Sequence, residues 1–273
     1  MPKNRIRTKW EQINGHRVRF RLVAPPCAWN ASDTHPPILL LHGLGCSVEV
    51  WEAALRCFAR RTLDRPVYAV DFPGYGRSQD ADHVLSIEEL ADWTIQFMDL
   101  LGIRRVHLAA NSMGCQVALA LARRFPDRVV GLVLTGATEG ADIVPVWRSA
   151  LGLLVDALYE PMLYNGTLIR TYLQMGVPHY FAMVAKMNQD DPLLRADEVQ
   201  APCLVVWGTR DAIIPEQTSR LFAARLPCGA FMPLPGATHA VQWTAPKEFT
   251  EMAWSFWQRA EAWTQGGRSH QTL

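Results

Sequence analysis

Short apolar runs alternate with amphipathic stretches along most of the chain. The runs are apolar almost throughout, as is typical of parallel strands with both faces buried, and they span residues 37–42, 67–71, 106–110, 129–135 and 203–207. Apolar residues at helical spacing predict helices between them, at residues 48–60, 86–101, 113–125 and 216–226. Strands that alternate with helices indicate crossover connections and a mostly parallel sheet of the α/β class.

Further elements flank this alternating region. Before it, two strand-like stretches at residues 8–13 and 17–23 surround Asn14-Gly15, a dipeptide that favours a tight hairpin turn. After it, a last strand near residues 230–234 precedes a tryptophan-rich amphipathic helix at residues 246–263. A hairpin and a long helix are therefore predicted on either side of the alternating region.

One segment interrupts the alternation. Residues 137–196 contain no fully apolar strand, only helical periodicity rich in leucine, methionine and tyrosine. Such an insertion between two strands predicts a helical lid over the strand ends, although an ordinary pair of core helices would have the same pattern. We therefore expect a core domain formed by residues 1–136 and 197–273, and a lid formed by residues 137–196.

The composition excludes several classes of protein. Apolar residues make up 49% of the chain and charged residues 19%, below the ~25% charged residues usual in soluble domains, so we expect a large interior. With 27 basic and 26 acidic residues, the formal net charge of +1 provides no long-range field to attract nucleic acid. No run approaches the ~18 apolar residues of a membrane-spanning helix, and no apolar signal-peptide core follows the basic start.

The cysteines indicate a reducing compartment rather than a metal site. They occur without any C-x-x-C pair, at Cys27, Cys46, Cys57, Cys115, Cys203 and Cys228. A chain of this size does not need disulfides to fold, so we interpret them as mostly buried thiols of a cytoplasmic protein. The lack of ligand-like spacing predicts no bound metal.

Candidate chemistry lies at the ends of four predicted strands. In an open parallel sheet, ligands bind outside the carboxyl ends of the strands. These ends carry His42-Gly43-Leu44-Gly45, Ala110-Asn111-Ser112-Met113-Gly114, Gly208-Thr209-Arg210-Asp211 and Gly236-Ala237-Thr238-His239. We therefore expect these four segments to form one site.

Ser112 is the candidate nucleophile. A strand that turns directly into a helix at a serine makes a tight, strained bend with the side chain exposed. Small residues two positions before and after the serine let strand and helix approach closely, and Ala110 and Gly114 occupy those positions. The motif A-x-S-x-G departs from the usual G-x-S-x-G only by alanine for the first glycine.

A serine hydroxyl needs a base to take its proton, and His239 is the candidate. It follows the last predicted strand, whereas His107 lies within a strand and His42 is expected to brace a loop through hydrogen bonds. Asp211 is the candidate third member, which would fix the imidazole tautomer and stabilise the imidazolium. Aspartates after strands are often only turn residues, but the order serine, aspartate, histidine is typical of one particular fold.

The segments HGLG, VDFPGYGRS, ANSMG, WGTRD and GATH, in this order, resemble the α/β-hydrolase superfamily. The resemblance covers about residues 37–263. It implies an eight-stranded sheet flanked by helices, an inserted helical lid, and a triad of Ser112, Asp211 and His239. It also implies an oxyanion hole formed by the backbone N–H groups of Leu44 and Met113, a structural role for the loop at residues 71–78, and no metal or organic cofactor.

The nucleophile restricts the activity that this resemblance implies. Dehalogenases and epoxide hydrolases of this fold use aspartate at the elbow, so Ser112 indicates acyl transfer to water. The leading hypothesis is a carboxylesterase acting on small to medium, mainly apolar esters. A carbon–carbon bond hydrolase of ring-cleavage products remains open, since the Asn-Ser-Met-Gly elbow resembles those enzymes although the longer glycine-proline stretch after His-Gly is missing. A thioesterase, a lactonase, an acyltransferase and a ligand receptor without turnover also remain open.

Apolar residues of the lid and of the loops beside the triad are candidates for the wall of a substrate pocket. They are Trp147, Tyr159, Met162, Tyr180, Ile213, Ile214 and Val241. We expect a small-molecule ester as the partner, with no membrane and no nucleic acid, and the sequence carries no prediction of the oligomeric state.

Overall fold

The computed structural model describes residues 5–24, 35–61, 64–137, 162–192 and 194–265. In this part of the chain, strands form one eight-stranded sheet in the order β1-β2-β4-β3-β5-β6-β7-β8. Their bounds are β1 Ile6–Ile13, β2 His16–Val23, β3 Ile38–Leu41, β4 Val67–Val70, β5 Val106–Asn111, β6 Val129–Thr135, β7 Cys203–Gly208 and β8 Gly229–Leu234. The mostly parallel α/β sheet predicted from the sequence is confirmed.

The first two strands form the predicted hairpin. Asn14 and Gly15 both have positive φ, 51° and 83°, as the tight turn that twists with its strands requires. Strand β1 pairs antiparallel with β2, and β2 pairs antiparallel with β4. From β4 onward every neighbouring pair of strands is parallel, so the carboxyl ends of these strands lie at one edge of the sheet.

Helices cover both faces of the sheet. Their bounds are α1 Glu52–Arg60, α2 Ile87–Leu100, α3 Met113–Arg124, α4 Met162–Met175, α5 Val177–Met187, α6 Glu216–Arg225, α7 Val241–Thr244 and α8 Pro246–Gln265. Short 3-10 helices span Val48–Trp51, Pro126–Arg128 and Ala196–Glu198.

The prediction of a single helix at residues 48–60 is wrong for the first turn. The 3-10 helix Val48–Trp51 comes first, and α1 follows it. Side-chain oxygens of Ser47 and Asp71 accept hydrogen bonds from N–H groups at its start. Because these acceptors satisfy N–H groups that a helix leaves unpaired, they stabilise a tighter first turn.

Apolar side chains of one strand pack toward opposite faces. On β3, Leu39 and Leu41 join a cluster formed with α2 and α3, whereas Ile38 and Leu40 join a cluster formed with α1 and α8. All four side chains are fully buried. The continuous apolar runs therefore bury both faces of the sheet, as the sequence predicts.

The segment predicted as a lid is mostly helical where the structure describes it. Helices α4 and α5 follow one another directly, with Gly176 between them at φ +81°. Residues 138–161 and 193 of this segment lie outside the described residues. The division into a core and a lid stays a prediction.

Among the described residues, the thiols of Cys46, Cys57, Cys115, Cys203 and Cys228 are free, and Cys27 lies outside this range. Burial raises the pKa of Cys46 and of Cys115 to about 12, so these two thiols stay protonated and unreactive. No helix in the described ranges is long and apolar enough to cross a membrane.

Candidate active site

Ser112 lies at the sharp turn between β5 and α3. Its backbone has φ +52° and ψ −121°, a conformation that costs a non-glycine residue roughly 1–3 kcal/mol and persists only where its surroundings hold it. They do so here, because the Ser112 N–H donates to the Thr135 carbonyl at 2.9 Å and the Ser112 carbonyl accepts from the Cys115 N–H at 2.8 Å. This is the geometry predicted for a nucleophile at an elbow.

Gly114 lets the helix approach the neighbouring strand. A Cβ atom at this position would lie 2.6 Å from the Leu41 carbonyl oxygen and 2.8 Å from that of His42. Both contacts are with backbone, which cannot swing away as a side chain can. The requirement for a small residue two positions after the serine is therefore confirmed, and the equivalent residue before it, Ala110, is fully buried.

Asp211 and His239 form a hydrogen-bonded pair at the ends of β7 and β8. Asp211 Oδ2 lies 2.9 Å from His239 Nδ1, and the aspartate side chain is 1% exposed. The other carboxylate oxygen, Oδ1, accepts from the N–H groups of Ile213 and Ile214 at 2.8 and 2.9 Å. A carboxylate fixed in this way holds the proton on Nδ1 and leaves Nε2 of the imidazole as the basic nitrogen.

Two residues that the sequence analysis did not single out tie His239 to the elbow. The Asn111 Nδ2 group donates to the His239 carbonyl and to Thr135 Oγ1, both at 3.2 Å. Gly136 has φ +58°, and a Cβ atom there would lie 2.8 Å from His239 Nδ1 and 3.0 Å from Nε2. The loop carrying the histidine is thus packed against Asn111, which precedes Ser112, and against Gly136, which follows the neighbouring strand β6.

The loop after β3 lies against the other side of Ser112. A Cβ atom at Gly43 would be 3.1 Å from the Ser112 Cβ, so glycine allows close contact between loop and elbow. The loop contributes the predicted donor Leu44. The second predicted donor, Met113, occupies the first position of α3, where an N–H has no acceptor within its own helix.

His42 braces this loop as the sequence predicts. Its Nδ1 donates to the Gly43 carbonyl at 2.8 Å, and its Nε2 accepts from the Phe72 N–H at 3.1 Å. Complete burial lowers the pKa of His42, so the ring is neutral, as one donating and one accepting nitrogen require. His42 therefore links the loop after β3 to the loop at residues 71–78.

The loop at residues 71–78 is held by a buried charged network. Asp71 is fully buried and accepts from Arg19 Nε at 2.6 Å, the Val48 N–H at 2.7 Å and the Arg77 N–H at 2.9 Å. Arg19 also donates to both oxygens of Glu49 at 2.7 Å. Burial opposes ionisation of Glu49, but the hydrogen bonds from Arg19 and Ser47 and the charge of Arg19 prevail and lower its pKa to about 2.

The predicted pocket residues have different surroundings. Ile213 is half-buried beside Asp211, while Ile214 and Val241 are buried. Tyr180 is half-buried, with its ring centroid 5.8 Å from that of Tyr172. Met162 is 90% exposed, which does not suit the wall of an enclosed pocket. The remaining two predicted pocket residues, Trp147 and Tyr159, lie outside the described residues.

Two concave regions occur elsewhere on the described surface. A groove of about 560 Å³ passes between Met162 and Arg21. A cavity of about 370 Å³ lies along α3 beside Gln116 and Lys186. Neither is lined by a residue of the predicted triad, and Met162 of the predicted pocket residues lines the groove. In the ranges that the structure describes, no cluster of histidine, cysteine, aspartate and glutamate could hold a metal ion.

Comparisons with known proteins agree with the fold. Residues 38–252 match the Alpha/beta hydrolase family. The chain is 29% identical over 250 residues to a 2-hydroxy-6-oxononadienedioate/2-hydroxy-6-oxononatrienedioate hydrolase of Paraburkholderia phymatum, covering 80% of this chain and 86% of that protein.

Another relative is longer than this chain. Identity is 30% over 239 residues to the dihydrolipoyllysine-residue acetyltransferase component of the acetoin cleaving system of Pseudomonas putida, covering 81% of this chain and 63% of that protein. Among solved structures, the enol-lactonase from Burkholderia xenovorans LB400 superimposes with a TM-score of 0.76 at 22% identity, covering 92% of this chain and 100% of that one. At this identity the superposition shows a shared fold.

Proposed function

The chain belongs to the alpha/beta hydrolase family, and we propose that it cleaves carboxylic esters of small to medium, mainly apolar groups through an acyl-enzyme on Ser112. The observation that carries the proposal is the strained elbow at Ser112 together with the hydrogen bond between Asp211 and His239. Strain at this position favours a functional role, because a serine gains nothing structurally from positive φ.

In the proposed reaction, His239 Nε2 takes the proton of the Ser112 hydroxyl as Oγ attacks the ester carbonyl carbon. The N–H groups of Leu44 and Met113 donate to the oxyanion that forms, and one such donor is typically worth about 3–4 kcal/mol. The alcohol leaves with the proton from Nε2, which produces the acyl-enzyme. A water molecule then gives its proton to Nε2 and attacks the acyl carbon, releasing the acid and restoring Ser112.

The charges of the predicted lid support a substrate without carboxylates. Where the structure describes the lid, Arg170 and Arg195 form ion pairs with glutamates, and Lys186 lines the cavity along α3. None of these contacts of the three cations involves a group at Ser112. Within the described part of the lid, a dicarboxylate placed at Ser112 would lose hydration without gaining one of these three cations as a partner, which favours a neutral ester.

Carbon–carbon bond hydrolysis is the second candidate. Two observations favour it: the relative from Paraburkholderia phymatum is named for hydrolysis of an oxo-dienedioate, and the elbow reads Asn111-Ser112-Met113-Gly114. The same triad would serve a thioesterase, a lactonase or an acyltransferase, because each reaction passes through a tetrahedral oxyanion.

The two candidates are separated by their substrates. We would measure kcat/KM for p-nitrophenyl esters from acetate to octanoate, and for a 2-hydroxy-6-oxo-dienoate whose visible absorbance disappears on cleavage. Ser112→Ala tests the nucleophile, and Ser255→Ala, at an exposed serine of α8, is the matched control. We expect esters to be preferred, with activity lost in Ser112→Ala and unchanged in Ser255→Ala. A dienoate cleaved more efficiently than every ester contradicts the proposal.

A further inference from the structure

Of the two described helices of the predicted lid, α4 lies against the turn that carries the predicted donor Leu44, and α5 reaches the predicted donor Met113 through Tyr75. We propose that Tyr172, on α4, is a positioning residue for the oxyanion hole. Its ring presses the turn at residues 43–46 against Ser112 and thereby fixes the Leu44 N–H. This inference rests on the proposed function, since it concerns the same site, and it adds a residue that acts through Leu44.

The turn at residues 43–46 is closed by its own hydrogen bond. The Cys46 N–H donates to the Gly43 carbonyl at 3.2 Å, and Gly45, the third residue of the turn, has φ +69°. Glycine at this position is typical of a type II turn. The hydrogen bond that closes the turn uses the N–H of Cys46 and not that of Leu44, the predicted donor.

Tyr172 and Ser112 contact two different residues of this turn. A Cβ atom at Gly45 would meet Tyr172 at 2.6 Å from Cε2 and 2.7 Å from Cε1, so the ring is in direct contact with the glycine. A Cβ atom at Gly43 would meet the Ser112 Cβ at 3.1 Å. The turn is therefore held between the tyrosine ring and the elbow, and removal of the ring lets it move away from Ser112.

Helix α4 is itself anchored beside the catalytic histidine. Tyr164 is 4% exposed, and its ring centroid lies 5.1 Å from that of Trp243, in the short helix α7 that follows His239. Near the other end, the Tyr172 ring packs beside Tyr180 of α5. One helix thus contacts both the segment after the base and the turn that carries an oxyanion donor.

The second lid helix contacts the other donor segment through a chain of rings. His179, on α5, lies against Gly74 and has its ring centroid 5.1 Å from that of Tyr75. The Tyr75 hydroxyl donates to Met113 Sδ at 3.5 Å. Lid contacts therefore reach the residues of both predicted donors, which a lid that only covers the site would not require.

The test compares substitutions at Tyr172 with one at a neighbouring position. Tyr172→Phe keeps the ring, while Tyr172→Leu and Tyr172→Ala remove it. Leu173→Ala is the matched control, because Leu173 follows on the same helix and is 78% exposed. Each variant is assayed for kcat and KM with p-nitrophenyl butyrate. Inhibition by a trifluoromethyl ketone, which forms an oxyanion on the serine, is also measured, and circular dichroism checks the fold.

We expect Tyr172→Leu and Tyr172→Ala to lower kcat by about 10²-fold, the effect of displacing a catalytic group by about 1 Å. The ketone inhibition constant should rise by a similar factor, while KM changes by less than about threefold, because ground-state binding does not use the donor. Tyr172→Phe and Leu173→Ala should match the wild type. Tyr172→Leu is the milder change and keeps the test decisive if Tyr172→Ala does not fold.

Two results overturn the inference in distinguishable ways. An active wild type whose kcat and ketone inhibition are unchanged in Tyr172→Leu, or one in which only KM changes, contradicts the positioning role alone. A wild type that neither hydrolyses esters nor binds the ketone contradicts the proposed function and this inference together.

Discussion

Gly136→Ala is a sharp test of the site, because the glycine touches the proposed base without taking part in the reaction. The added Cβ would lie 2.8 Å from His239 Nδ1 and 3.0 Å from Nε2, whereas unbonded heavy atoms prefer roughly 3.5–4.0 Å. The nearest ring atom, Cε1, would lie closer still, so the imidazole must shift by about 1 Å or more. That movement disturbs its 2.9 Å hydrogen bond to Asp211 and its approach to Ser112.

The expected magnitude has two parts. Alanine in a left-handed conformation costs roughly 1–2 kcal/mol of folding free energy. This cost is shared by the matched control Gly102→Ala, where φ is +67° and nothing lies within 4 Å of the added Cβ. Displacement of the base adds a loss of about 10²-fold in kcat, equivalent to about 2.7 kcal/mol in activation free energy.

Both variants are assayed for urea unfolding and for kcat with a p-nitrophenyl ester. We expect similar losses of stability in the two proteins and a loss of kcat in Gly136→Ala alone. If Gly136→Ala retains as much kcat as Gly102→Ala, the steric argument for the position of His239 is refuted.

Three further predictions concern the triad and its supports. Asp211→Asn should lower kcat by about 10⁴-fold while circular dichroism shows an unchanged fold; a near-normal rate would point to a different acid. Asn111→Ala removes the hydrogen bonds to the His239 carbonyl and to Thr135, so urea unfolding should show a loss of about 1–3 kcal/mol and kcat should fall, whereas an unchanged kcat would argue against a role in holding the base. Because the pKa of Glu49 is lowered to about 2 in the folded protein, its contribution is present above the unfolded pKa and is lost as pH falls toward 2. Linkage limits that contribution to about 3 kcal/mol, which solvent screening reduces. The stability gap between wild type and Glu49→Gln in urea should therefore be smaller at pH 3 than at pH 6, and a constant gap would contradict the assignment.

The sheet could be predicted because its signal is local. A run such as that of β6, Val129–Thr135, is apolar at every position since both of its faces are buried. The start of the first helix could not be predicted as well from the sequence, because it depends on Asp71, which is distant in sequence. A helical pattern in the sequence does not show which residue of a distant loop will accept a hydrogen bond from the first turn of the helix.

The three residues proposed as a triad could be singled out because each follows a strand whose carboxyl end lies at the same edge of the sheet. The residues that hold these three side chains in place could not be singled out from the sequence. Asn111 and His239 are separated by 128 positions, and nothing in a single sequence pairs them. Gly136 had a weak signal, a glycine immediately after a strand adjacent to the elbow strand. Tyr172 had none, since its helical pattern does not identify the loop that its ring contacts.

The proposed reaction depends most directly on Ser112 as the nucleophile. The decisive measurement is intact-protein mass spectrometry after treatment with an alkyl p-nitrophenyl phosphonate, followed by peptide mapping. We predict one adduct per chain, located on Ser112, formed in the wild type and in Ser255→Ala and missing from Ser112→Ala. A wild type that forms no adduct, or an adduct that persists in Ser112→Ala, would contradict the central claim.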